Sequence, residues 1–545
     1  MTKKPFLLAA LMFAILPAFS QNWRSSLYPQ NWKPGMQDSA GRFLHDFSYA
    51  GYHRGEKAIP HTKKNITDVT KSPYFVDNTG KEEVTIAIQK ALTDVGQNGG
   101  GVVYLPAGKY KVDVSAAKAN SLKINYSNVV LRGAGIGKTF IFNDNANVRN
   151  VSIIQAKPLS GGNWLKPESE VVSITKDLLL PTQTIPVSST KDFKVGDWII
   201  LRSDVTKEFI KEHDMDNLWA TSLVGTMFYR YITAINKKDN TIQVDAPTRY
   251  FLKLRDNARI YKVKPALSEV GIENFSIANQ QSVLPGLGNL EFDTKGTAAY
   301  EVHGANMIMI NSAINCWIKN VSTYKPEENK DDFHLVSSGI LLQSSRFVTV
   351  DSCSFQKTQY YGEGGNGYMY TLGSNDCLIK DCFAAYARHN YDFKTMKSNG
   401  NVILRCRGEN SSLASDFHMH LSMSNLFDNT TLNKDFLEAK FRPWGTLPDM
   451  HGYPTTQSVY WNTVGEAYPK KSPYVIDSEQ FGWGYVIGTS GPASDVKTSP
   501  TAGKIKEYEY DSSPEDFKEG IGTGDHLMPK SLYLDQLERR LKAHK

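Results

Sequence analysis

Between residues 366 and 461 the chain concentrates side chains that can take, give or steer a proton. The run Asp416-Phe-His-Met-His-Leu-Ser422 alternates polar with apolar residues. Successive side chains of an extended strand point to opposite faces, so Asp416, His418, His420 and Ser422 share one face and Phe417, Met419, Leu421 and Met423 the other. A carboxylate beside two imidazoles can orient and charge-stabilise a proton-transfer group that works near neutral pH. The preceding run, Arg388-His-Asn-Tyr-Asp-Phe-Lys394, sets Arg388, Asn390, Asp392 and Lys394 against His389 and Tyr391. Which of those two faces looks outward is open, because a bulge would exchange them. Asn366, Tyr368 and Tyr370 stand on the segment before, and Arg442, His451 and Trp461 on segments that follow and could fold over the row.

Two reactions could use this set. Abstraction of a proton next to a carboxylate needs a cation facing that carboxylate, a base and an acid for the leaving oxygen. Arg388 suits the first role by bidentate pairing, His389 or His418 the second, and Tyr368 or Tyr391 the third, with Asp416 orienting an imidazole. Lys394, His420, Arg442, His451, Asn366 and Trp461 then become candidate substrate contacts. Glycoside hydrolysis would instead use two carboxylates, and Asp392 and Asp416 on neighbouring strands could supply them. The histidine-rich, carboxylate-poor composition favours the first reaction. No cofactor is required by any motif; calcium is compatible, but Asp331-Asp332 reads equally well as a solvated loop. Gly135-Ile-Gly-Lys-Thr139 is not a phosphate loop: Arg132 stands where its first glycine belongs, and Phe140-Ile-Phe142 continues as a strand. Neither nucleotides nor nucleic acids are expected partners.

These runs belong to a repeat. Cys316–Val321, Phe347–Cys353, Cys377–Cys382 and Asn401–Cys406 are versions of one strand-and-turn unit, recurring at solenoid-like intervals of 24 to 32 residues. Ser338–Leu342, Asn366–Tyr370, Arg388–Lys394 and Asp416–Ser422 precede it in each coil, and stacked coils place them side by side in one sheet. Cys353, Cys382 and Cys406 occupy equivalent positions and should stack inside as free thiols. Five cysteines cannot all pair within the chain. Upstream, Val84, Ile88, Ala91, Leu92 and Val95 mark the apolar stripe of one helix, ended by Gly99-Gly-Gly101. The chain therefore divides into a cap region (21–73), first coils with their cap helix (74–165), a β-rich insertion (166–265), the main solenoid with its groove (266–465) and a C-terminal cap region (466–545). Trp219, Phe228, Tyr229 and Arg230 could overhang the groove, although most of these aromatics read better as insertion core. Lys3, Lys4 and the apolar run Phe6–Phe19 read as a signal peptide over residues 1–20, so export is expected and no later stretch could span a membrane. A net charge of +6 suits a polyanionic substrate, and solubility as well.

The order of helix, GGGVVYLPAGKYKV (99–112) and NVVLRGAG (128–135) resembles the start of the pectate-lyase-like superfamily of right-handed parallel β-helices. The stretch before the helix departs from that pattern at Asp77-Asn-Thr-Gly80, which bears on the cap and not on catalysis. The resemblance implies an all-β solenoid whose catalytic sheet is the one identified above. It implies a secreted or periplasmic monomer acting on an acidic polysaccharide, with uronate β-elimination ahead of hydrolysis. Chondroitin- or dermatan-type glycosaminoglycans are favoured by the resemblance alone. A non-catalytic glycan-binding solenoid is the third class; it explains the fold and the aromatics but not the Asp-His-His row.

Overall fold

The computed structural model describes residues 21–445, 447–448, 450–505 and 508–543. The expected signal peptide lies outside them. The chain winds into a right-handed parallel β-helix, because each coil can bury its apolar residues only against the coils above and below. Trp317, Thr349, Leu378 and Val402 pair in succession in parallel register, in steps of 32, 29 and 24 residues. Leu426, Val459 and Tyr485 continue the column. Inward-facing residues form ladders of like on like. Phe393 stacks on Phe417 with ring centroids 5.0 Å apart, Tyr370 on Tyr391 at 5.2 Å, and Asn401 Nδ2 donates to Asn425 Oδ1 at 2.9 Å. All five cysteines are free and buried, and Cys353 N donates to Cys382 Sγ at 3.4 Å. The stacked-thiol expectation holds.

Helix Thr85–Gln97 covers the first coil, with Ile88, Ala91, Leu92 and Val95 buried as their spacing predicts. Residues 21–60 behave differently from the expected end cap. Tyr28, Trp32, Leu44 and Phe47 pack with Leu532 and Tyr533 of helix Leu532–Ala543 onto the flank of the solenoid, over Leu378, Val402, Leu426, Val459 and Trp461. A parallel sheet is normally buried on both faces, and this flank is covered by segments hundreds of residues away in sequence.

Residues 172–262 carry a six-stranded antiparallel sheet. Its core takes in Trp219 and Phe228, and also Met396, Leu421, Met423, Phe441 and Tyr453 from the main solenoid. A wholly buried ion cluster fastens the two. Asp376 accepts from Arg230 Nη1 at 3.2 Å, Arg249 Nη2 at 3.0 Å and Arg346 Nε at 2.8 Å, while Arg346 Nη1 also reaches Asp245. Arg230 and Trp219 are therefore internal and do not overhang the groove.

Candidate active site

A groove of about 1170 Å³ runs over the sheet formed by strands Tyr368–Asn375, His389–Lys394, Ser415–Met419 and Leu437–Ala439. Arg388, His389, Lys394, His418, Arg442 and His451 line it. All six were anticipated from sequence; the parallel register, which sets Tyr368 beside His389 and Asp392 beside Asp416, gathers those on the strands, and the bridge between Arg442 and Gly452 brings in Arg442 and His451.

The alternation breaks at its upstream edge. Tyr391 and Phe393 point into the solenoid core, which by period two should take His389 inward as well. Instead His389 lines the groove, and Asn390 turns away to donate to Asp435 Oδ2 at 2.7 Å. Tyr391 is thereby removed from the candidate acids: its hydroxyl donates to the Cys382 and Arg407 carbonyls, both at 3.0 Å, inside the protein. The downstream edge breaks too. His420 and Leu421 adopt φ of 51° and 52°, ending the strand at Met419. His420 leaves the row, its Nε2 meeting the Met450 carbonyl at 3.1 Å, and Leu421 and Met423 turn into the insertion's core while Met419 lines the groove. Two further candidates are structural. Asn366 is fully buried, donating to the Glu363 carbonyl at 2.6 Å and accepting from Gly304 N at 3.0 Å. Trp461 lies under the N-terminal segment, edge-on to Tyr28 at 5.8 Å.

Hydrogen bonds fix the tautomer of His389 and hold His418 in place. His389 Nδ1 faces the Ala414 carbonyl at 2.6 Å, an atom that can only accept, so Nδ1 carries the proton and Nε2 is left as a bare, buried lone pair. Burial holds this imidazole down to about 4, with Arg388 and Arg442 adding to the effect against the opposing pull of Asp416. His418 Nδ1 lies 3.0 Å from Arg442 Nη1, which can only donate, and 3.2 Å from Asp416 Oδ2, which can only accept, while its Nε2 meets Tyr368 Oη at 3.2 Å. Burial also keeps His418 neutral, well below its ordinary range. The Tyr368 ring is sandwiched, stacked on His389 at 4.7 Å and capped by Lys394 Nζ at 3.7 Å from its centroid. Burial raises this phenol well above 10, so it stays protonated.

Beneath the imidazoles stands a column of carboxylates in register, Asp392, Asp416 and Glu438. Arg442 bridges the last two, Nη1 to Asp416 Oδ2 at 2.6 Å and Nη2 to Glu438 Oε1 at 2.7 Å. Burial opposes the charge of Asp416, but Arg442, His389 and His418 together hold it well below the usual carboxylate range. Asp392 is pushed up, first by burial and then by Asp416, against the pull of Lys394 at 3.5 Å. The opposite shifts leave the charge of the pair on Asp416. Arg442 is thus committed to Asp416 and Glu438, whereas Arg388, among the described residues, bonds only a backbone carbonyl, that of Gly362 at 2.8 Å.

His389, Asp416 and His418 each offer one ligand atom within 4.8 Å of the others. The set does not fit calcium, which takes six to eight oxygens. The Arg442 guanidinium already sits against the Asp416 oxygen and the His418 Nδ1 that an ion would share. Sequence reading missed Glu438, Lys440, Trp444, Tyr510 and Glu363, all of which line the groove. Glu438 was within reach, because it continues the Asp392–Asp416 column one coil on; the others come from loops and a C-terminal hairpin without periodicity.

Residues 69–200 match the family model described as rhamnogalacturonase A/epimerase, pectate lyase-like. That stretch is pectate-lyase-like, in keeping with the motifs at 99–112 and 128–135. The match contains the helix and the first coils of the solenoid and ends before the strands that build the groove. Among curated relatives, alginate lyase 7 of Azotobacter vinelandii is 44% identical over 62 residues, covering 11% of this chain and 7% of that protein. The K1-specific capsule depolymerase of Klebsiella phage K64-1 is 23% identical over 252 residues, 46% of this chain and 24% of the relative. The chain thus spans under a quarter of the length of each. The solved tailspike gp61 of Pseudomonas phage phi297 superposes with a TM-score of 0.42 at 9% identity, covering 80% of this chain and 72% of that one.

Proposed function

We propose that this protein is an exported polysaccharide lyase that cleaves a uronate-bearing polymer by β-elimination, acting as a monomer without a resident metal. The observation that carries the reading is the layering of the site. Neutral imidazoles and four cations, Arg388, Lys394, Lys440 and Arg442, line the groove with Glu363, Glu438 and Glu479, while Asp392 and Asp416 are fully buried beneath the imidazoles and do not line it. A paired-carboxylate hydrolase needs both carboxyl groups facing the sugar.

In the proposed reaction Arg388 and Lys394 face the uronate carboxylate and stabilise the charge that builds on it. His389 Nε2 takes the proton from the carbon α to that carboxylate. The electrons of this C–H bond form the carbon–carbon double bond, and the bond to the departing glycosidic oxygen breaks. The hydrogen-bonded Tyr368–His418 pair supplies the proton to that oxygen. Lys394 above the Tyr368 ring stabilises the developing phenolate, and Asp416 with Arg442 holds the His418 ring in position. The relative named as an alginate lyase supports a lyase reading.

The test is incubation with chondroitin, dermatan, alginate, pectin and heparin while following the ultraviolet absorbance of unsaturated uronate, glycosaminoglycans first. Absorbance rising with chain cleavage is expected. New reducing ends without that absorbance would select the hydrolase, and tight binding with no cleavage of any polymer would select a glycan-binding solenoid.

A further inference from the structure

Trp444 has no place in the chemistry above, yet it is 62% exposed on the groove wall. A tryptophan carries one of the largest apolar surfaces of any side chain, and most of this one is left in water. Its backbone is nevertheless braced. Arg442 and Gly452 exchange both main-chain hydrogen bonds at 3.1 Å, and His451 N donates to the Trp444 carbonyl at 2.8 Å. The base of this bridge is the same Arg442 that grips Asp416 and His418, and the His451 ring lies 5.0 Å from the His418 ring. The backbone that carries the exposed indole is therefore tied to the element that holds Arg442 and His451. Lys440, two residues before Arg442, also lines the groove, with its ammonium a loose 3.5 Å from Asp477 and its side chain 43% exposed.

We propose that Trp444 and Lys440 form a sugar-binding subsite next to the reacting one, resting on the lyase reading. The indole stacks on the apolar face of a pyranose ring and Lys440 meets an anionic substituent on that ring or its neighbour. An aromatic face suits the C–H side of a sugar, and a partly paired ammonium gains a second anion at little desolvation cost. The subsite would make the enzyme select polymers whose charged residues recur along the chain.

The experiment compares wild type, Trp444→Ala, Trp444→Tyr and Lys440→Gln on an acidic polysaccharide that the wild type cleaves and on its shortest cleavable oligosaccharide. For Trp444→Ala, KM on the polymer should rise about tenfold with a much smaller change in kcat, Trp444→Tyr should recover most of the loss, and Lys440→Gln should rise severalfold with a weaker salt dependence. Equal KM for wild type and Trp444→Ala on the polymer would overturn the subsite while leaving the lyase reading intact. A fall in kcat alone, not recovered by tyrosine, would also overturn it, since that pattern marks disturbed support of Arg442. Failure of the wild type on every acidic polymer would fell the lyase reading instead.

Discussion

Acidification separates this site from one built on an ordinary solvent-exposed histidine. An unperturbed imidazole titrates near 6.5, and activity resting on its neutral form would rise through that pH. Burial instead holds His389 to about 4 and keeps His418 well below its usual range. At about 1.4 kcal/mol per pH unit, the site disfavours the protonated His389 by roughly 3 kcal/mol. At pH 5 a base titrating at 6.5 would be about 3% neutral, whereas one at 4 is about 90% neutral, a difference near thirtyfold in rate. The assay is the initial rate of unsaturated-product formation at low substrate between about pH 3.5 and 8, which reports the free enzyme's groups. The same burial sets a control. Below 6.5 the unfolded chain binds a proton that folded His389 refuses, so its contribution to stability is complete above 6.5 and is lost as pH falls towards 4. His213, His334 and His451, all held to about 4, act in the same direction. Each acidic point therefore needs recovery of full rate on return to neutral pH. An acid limb centred near 4.5 or below, in protein that recovers, is expected. A reversible limb centred near 6.5 would refute the buried-base mechanism. No alkaline fall from Tyr368 is expected below pH 10, because its phenol is raised well above that value.

Removing His389 as alanine should lower turnover by about 10²- to 10⁴-fold, the usual worth of a general base, with binding of polymer retained; near-normal rates would exclude it. Asp392→Asn should keep most activity, because the carboxyl it replaces is already held protonated against Asp416, and a dead Asp392→Asn with a dead Asp416→Asn would restore the paired-carboxylate hydrolase. Asp376→Asn leaves Arg230, Arg249 and Arg346 without their shared carboxylate in a wholly buried cluster and should cost about 3–5 kcal/mol, read as a clearly lowered melting temperature; an unchanged one would refute the fastening role. Thiol titration of the denatured, unreduced protein should find all five cysteines reactive, and fewer would contradict the stacked core.

Local periodicity carried the solenoid. The spacing of Cys353, Cys382 and Cys406 placed them in one internal stack, and the alternation of Asp416, Phe417 and His418 assigned their faces, because a repeat and a period of two are properties of neighbours along the chain. The same reasoning placed Ile88, Leu92 and Val95 against the first coil. What period two cannot encode is where the period slips. The break between His389 and Tyr391, two residues expected on one face, sent the tyrosine into the core and the histidine to the groove, and two left-handed residues at His420 and Leu421 took the second imidazole out of the row. Trp461 looked free to reach substrate until residues 21–60, more than 400 positions away, covered it. Arg442, His451 and Trp444 meet the sheet only because a hairpin closes between Arg442 and Gly452. Those decisions rest on contacts between distant segments, and the burial they create sets the charge states on which the proposed chemistry depends.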